Sequence, residues 1–162
     1  MENKKKIQFE KAVVNIGVGR LRQQNASFDD KVLPEIMKEV ALITGQRPAT
    51  RPAKKSIAGF KMREGDILGV KVTLRGKRMT DFINKVIKVV LPRVRDFGGL
   101  NKNSIDKQGN LNFGFKEQFV FPEISPETSK VNFGLQVSIK TTAKTSEEAL
   151  EFYKSYGFPL KV

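Results

Sequence analysis

The chain has 162 residues, 39% of them hydrophobic, enough for a compact fold with a core. It has no Cys and no His, which removes disulfides, thiolate and imidazole metal sites and histidine-based acid–base catalysis; no apolar run reaches the ~18 residues of a membrane span. Lys and Arg number 30 against 17 Asp and Glu, and the net charge of +13 points to a polyanion, nucleic acid before membrane.

The start, MENKKKIQFE, is basic but lacks the apolar stretch of a secretory signal. Residues 12–18, AVVNIGV, alternate as a strand, with Val14, Ile16 and Val18 on one face and Asn15 and Gly17 on the other. The spacing of Phe28, Val32, Ile36, Val40 and Ile43 predicts a helix, capped by Ser27 and ended by Gly45. Pro34 either kinks this helix or stands at its first position. A short extended piece near Arg47–Arg51 leads into RPAKKSIAGFKMREG, a cationic, glycine-hinged loop with a solitary Phe60. Residues 67–75 alternate again, with Val70, Val72 and Leu74 opposite Lys71, Thr73 and Arg75.

Met79, Phe82, Ile83, Val86 and Val90 predict a second helix that stops at Pro92, followed by a glycine-punctuated loop over 93–109. In the next strand Leu111, Phe113, Phe115, Phe119 and Phe121 share a face, with Asn112, Lys116 and Gln118 opposite and a bulge or break at Glu117. Val131 to Ile139 alternate as a further strand, with Asn132, Gln136, Ser138 and Lys140 on its polar side. Thr145-Ser-Glu-Glu148 is a capping box that opens a last helix, whose apolar side carries Ala149, Leu150 and Tyr153. The pattern predicts one α+β domain over 1–162 with a short tail over 1–6. It is a mostly antiparallel sheet with helices packed on one face and the other face open and polar.

The charge is concentrated. Residues 47–78 hold ten cations against Glu64 and Asp66, a net +8 that leaves +5 for the remaining 130 residues. The predicted open face carries Asn15, Gly17, Lys71, Thr73, Arg75, Asn112, Gln136 and their neighbours: amides, hydroxyls and cations without a carboxylate. Amides and hydroxyls donate to phosphates and read base edges or ribose hydroxyls, and cations release counterions. Gly17 admits close approach of a sugar–phosphate backbone. In the loop, Arg51, Lys54, Lys55, Lys61 and Arg63 suit phosphates, while Phe60 either plugs the core or stacks on a base. No helix-turn-helix, zinc finger or basic zipper is present, which favours RNA over DNA. NIGVGR lacks the third glycine of a dinucleotide fingerprint, and the doublets Asp29-Asp30 and Glu147-Glu148 suit helix first turns. Nothing nominates a catalytic group, a metal site or a cofactor, so the chain is read as no enzyme.

Seven blocks carry a family resemblance: AVVNIGVG, ALITGQRP, RPAKKSIAGFKMREG, GVKVTLRGKRM, LPRVRDFGGL, FKEQFVFPEI and TTAKTSEEA, in this order. Together they resemble the bacterial form of the "L-five" family of large-subunit ribosomal proteins, over nearly all of the chain after residue 11. The resemblance implies a structural, cytoplasmic role on the ribosome. It implies binding of 5S rRNA and attachment of it to the large subunit, beside 23S rRNA and other proteins of the central protuberance. Carried over, it nominates Asn15, Gln46, Thr73 and Arg75 for 5S rRNA. It directs the 53–65 loop toward the P-site tRNA, and it implies a bridge to small-subunit ribosomal protein thirteen near Ser125–Val131. Relatives carry a longer leading segment with a basic helix where this chain has MENKKKIQFEK, and a basic residue where it has Gly98. The competing reading is a free RNA-binding module or RNA chaperone acting off the ribosome.

Overall fold

The computed structural model describes residues 6–161; most of the expected 1–6 tail lies outside them. The elements are β1 (Phe9–Gly17), α1 (Gly19–Gln24), α2 (Leu33–Thr44), β2 (Ala49–Pro52), β3 (Ile67–Leu74), α3 (Gly76–Lys85), α4 (Leu91–Arg93), β4 (Leu111–Phe115), β5 (Leu135–Thr141) and α5 (Ser146–Tyr156). This is the predicted α+β class. The strands form one sheet in the order β2-β3-β1-β5-β4.

Contacts between neighbouring strands show that the sheet is antiparallel. β2 pairs β3 with Ala49 opposite Lys71 and Arg51 opposite Gly69. Val18 N donates to Leu68 O at 2.9 Å, so counting back along β1 and forward along β3 places Gly17 beside Gly69 and Asn15 beside Lys71. Thr142 N donates to Gln8 O at 3.0 Å and Lys140 pairs with Glu10, so β1 and β5 run oppositely. A Cβ on Gly114 would meet Leu135 O and one on Gly134 would meet Phe115 O, which sets β4 against β5 in the same sense. Along β1, Ala12, Val14 and Ile16 are buried and alternate with half-exposed residues, as do Val70, Val72 and Leu74 in β3.

The chain forms two compact units. Unit 2 holds Val14–Thr73 and Gly114–Gln136. Its buried residues include Val14, Ile16, Val70 and Val72 of the sheet and Ile36, Val40 and Ile43, which recur on one stripe of α2. Burying each such side chain contributes about 1.5–3 kcal/mol. Gly45 ends α2 at φ 70°, with its N–H on Ala41 O, a conformation that an L side chain resists. Unit 1 holds Met1–Val13, Leu74–Phe113 and Val137–Val162. There Phe9 meets Phe152 and Tyr156 edge-on, at ring distances of 5.0 and 4.7 Å. The buried Tyr153 hydroxyl accepts from Leu111 N at 3.2 Å and lies 3.0 Å from Ile139 O, fastening α5 to β4 and β5.

Several expectations are corrected. Ser27 makes no side-chain cap; Phe28–Val32 is instead a π-helical turn that runs into α2, whose first turn contains Pro34. The second helix passes Pro92 rather than stopping there. α3 continues through a π turn over Val86–Val90 into α4, where Leu91 N–H reaches back five residues to Val86 O, and this widened turn makes room for the proline ring that follows. β4 ends at Phe115, so Phe119 and Phe121 are not strand residues. β5 starts only at Leu135. Thr145 accepts from Glu148 N, but Glu148 reaches back to Lys144 N rather than to its own cap.

Candidate nucleic-acid interface

Unit 2 gathers most of the predicted site. Asn15 and Lys71 are neighbours on adjacent strands and both are half-buried, as is Thr73, while Gly17 is exposed and a Cβ there would meet nothing within 4 Å. Gln46 is half-buried just after α2, and its Nε2 donates to Thr73 O at 3.1 Å, which leaves its amide oxygen and second amide hydrogen for a partner. Gln136 is exposed on β5. Arg51 stands in β2 opposite Gly69, on the same side as Lys71. The unit's strand residues on this side include no Asp or Glu. In unit 1, Asn112 is half-buried on β4, and Arg75 is exposed in extended conformation (φ −137°) immediately before α3.

Two polar residues read onto the open face lie elsewhere or are engaged. Gln118 is fully buried. The chain turns inward after β4, and the Gln118 amide meets the backbone of the next segment. Nε2 donates to Val131 O at 2.7 Å and Glu39 Oε2 at 3.2 Å, while Oε1 accepts from Phe133 N at 3.1 Å. The odd–even pattern could not reveal this, because the strand it presumed ends three residues earlier. β1 also begins at Phe9, which brings in Glu10; its carboxylate pairs with Lys140 at 3.1 Å, so that lysine is engaged and the face is not free of carboxylates.

The 51–65 stretch is an ordered arm. Ala53 N donates to Asp66 O and Gly65 N to Ala53 O at its root. Further out, Ile57 and Met62 pair antiparallel, and Glu64 N donates to Ser56 Oγ at 2.8 Å. At the tip Lys61 adopts φ 52°, the left-handed region uncommon for a side-chain-bearing residue. Phe60 is 62% exposed and Ile57 45%, so Phe60 does not plug the core. Lys54, Lys55, Lys61 and Arg63 are exposed, and among the described residues none makes an ion pair. Their charges remain available.

Sequence reasoning missed the residues that hold this arm. Arg22 of α1 grips Asp29 with two nitrogens, at 2.7 and 3.1 Å, and Asp66 at 3.0 Å. The Asp29 hydrogen bond raises the Arg22 pKa, with the Asp66 charge adding to it against partial desolvation. Gln23 Nε2 donates to Phe60 O. These partners lie up to 44 residues apart, a distance no local spacing encodes.

The fold and this surface define a strongly basic α+β protein with a polar sheet side and a projecting cationic arm. Comparison with known proteins gives it a family. A family model described as "Ribosomal protein L5" matches residues 3–63, and a second model, describing the C-terminus of the same ribosomal family, matches residues 67–160. "Large ribosomal subunit protein uL5" of Pseudothermotoga lettingae is 50% identical over 153 residues, which covers 94% of this chain and 81% of that protein. The protein of the same name from Thermus aquaticus is 48% identical over the same shares, and that of Lacticaseibacillus casei 51% over 93% and 81%. The chain belongs to the ribosomal protein L5 family.

Proposed function

We propose that this protein is a structural component of the large ribosomal subunit that binds 5S rRNA. Its relatives' shared name, at about half identity over nearly the whole chain, carries the ribosomal assignment. In this reading Asn15, Gly17, Gln46, Lys71, Thr73 and Gln136 meet 5S rRNA, with Arg75 and Asn112 as further contacts. The arm offers its unpaired cations and the exposed Phe60 to tRNA in the P site or to 23S rRNA. Ser125 opens a tight turn, with Thr128 N and Ser129 N donating to Ser125 O at 3.2 and 3.0 Å; here we place the bridge to small-subunit ribosomal protein thirteen.

The test is chemical footprinting of 5S rRNA with and without the protein, beside co-sedimentation with large subunits after a high-salt wash. Thr73→Ala and Arg75→Ala should weaken protection and leave the fold intact. Phe60→Ala should leave 5S protection unchanged and weaken contacts made by the arm, by ~1–3 kcal/mol if the ring stacks on a base. Unchanged 5S protection in both Thr73→Ala and Arg75→Ala removes these residues from the site. Recovery only in the soluble fraction favours the off-ribosome RNA-binding reading.

A further inference from the structure

We propose that Arg22 and Gln23 are positioning residues that set the pose in which the 53–66 arm presents Phe60 and its cations to RNA. The inference rests on the reading of that arm as an RNA contact.

α1 is six residues long and contributes no buried side chain. Its apolar Leu21 is only half-buried and Gly19 lies beside Leu68, so packing holds it lightly, and its polar side chains add the specific ties to the rest of the unit. They hold the arm at two points. At the root, the Arg22 guanidinium bridges Asp66 and Asp29, and the other Asp66 oxygen accepts from Arg63 N at 2.8 Å. At the tip, Gln23 donates to the carbonyl of Phe60 itself. Without these ties the arm would be joined to the unit by its two chain crossings at Ala53 and Asp66, by the backbone hydrogen bonds at its root and by side chains that are at most half-buried. Gly59 and Gly65 would then leave its direction loosely set.

Arg22 is also unsuited to direct phosphate contact. Three of its hydrogen bonds are taken by two carboxylates, and its face lies 5.6 Å from the Phe28 ring centre. Its cationic charge serves the protein's own acids. An arm already held in its bound pose loses less freedom on binding, so the ties should appear in RNA affinity without any contact to RNA.

The test uses the full chain and a 5S rRNA transcript, plus large subunits lacking this protein, in a salt titration. Arg22→Met and Gln23→Ala are compared with Lys61→Met, which removes an exposed cation. Circular dichroism checks that each variant folds. In the free protein, trypsin cleavage after Lys54, Lys55, Lys61 and Arg63 should accelerate about tenfold in Arg22→Met, because cleavage tracks the population of the opened arm. Binding to subunits should weaken with the slope against log salt unchanged, whereas Lys61→Met should lower that slope by about 1. Arg22→Lys, which keeps charge but not the fork, should restore protection in part. Asp66→Asn should loosen the arm as Arg22→Met does, and the double variant no further. The proposal is overturned if Arg22→Met leaves the arm as resistant as wild type. It is equally overturned if its salt slope falls like that of Lys61→Met, since Arg22 would then be a phosphate ligand, or if a loosened arm binds subunits undiminished. Failure of the wild type to bind either RNA target overturns the functional reading itself, and the wild-type arm alone decides that.

Discussion

Gln118→Leu separates a residue that reads RNA from one that holds the fold. Leucine has a similar size, so the substitution removes hydrogen bonds with little change in volume. Phe133 N–H loses its acceptor, and Glu39 loses a donor at 3.2 Å, both in buried surroundings. Val131 O keeps Ser129 Oγ at 2.9 Å and adds little. An orphaned buried amide costs about 1–3 kcal/mol, and a lost bond to a charged group about 1.5–3, so the sum is about 2.5–6 kcal/mol. In a domain of this size that lowers Tm by about 10 °C. Urea and thermal melts measure the loss, and 5S rRNA binding well below the new Tm should match wild type. Gln118→Glu restores an acceptor for Phe133 N but sets a second carboxylate against Glu39, so it should remain destabilised at neutral pH. A loss under about 1 kcal/mol for Gln118→Leu would refute the network as a stabilising element; reduced RNA affinity in the folded variant would return Gln118 to the interface.

Two further outcomes follow from unit 1. Tyr153→Phe leaves Leu111 N–H without its partner and should cost about 1–3 kcal/mol in thermal melts. Burial raises the Tyr153 phenol above its ordinary pKa, so the stability it supplies is present below about pH 10 and fades as pH rises beyond it; Tyr153→Phe should flatten that alkaline limb. At Asp106, burial opposes ionisation, but hydrogen bonds from Asn110 Nδ2, Asn110 N and Gln108 N outweigh it and lower the pKa. The stability Asp106 supplies is therefore present above about pH 4 and lost as pH falls through the lowered value; urea midpoints between about pH 2 and 5 should show a shallower acid limb in Asp106→Asn.

Much of the fold is legible in the sequence, for physical reasons. Val14, Ile16, Val70 and Val72 alternate because one sheet side is buried, and Ile36, Val40 and Ile43 recur at helical spacing because one helix side is. Such periods are local, so they survive in a single sequence. What the sequence hides depends on partners distant in the chain. Gln118 has the right parity for an open face, yet β4 ends before it and Glu39, 79 residues away, helps bury it. Glu10 lies outside the predicted strand, and its partner is Lys140. The cationic loop is legible as composition, but its order is not, because Arg22, Gln23 and Asp66 meet only once the chain has folded back. At Gly98 a Cβ would stand 3.0 Å from Lys161 Nζ, a closeness between residues 63 apart that local spacing does not encode.

The paired π turns have a consequence for the length of the chain. Phe28–Val32 leads into Leu33-Pro34, and Val86–Val90 into Leu91-Pro92. Each widened turn accommodates one residue beyond the α-helical count, which rotates everything on its N-terminal side by about 100° relative to an uninterrupted α-helix. Deleting a single residue from either turn would not simply shorten a helix. At Val86–Val90 it would swing the side chains of α3 a quarter-turn or more out of phase, and in both places it would press the proline ring against a regular α-helical turn.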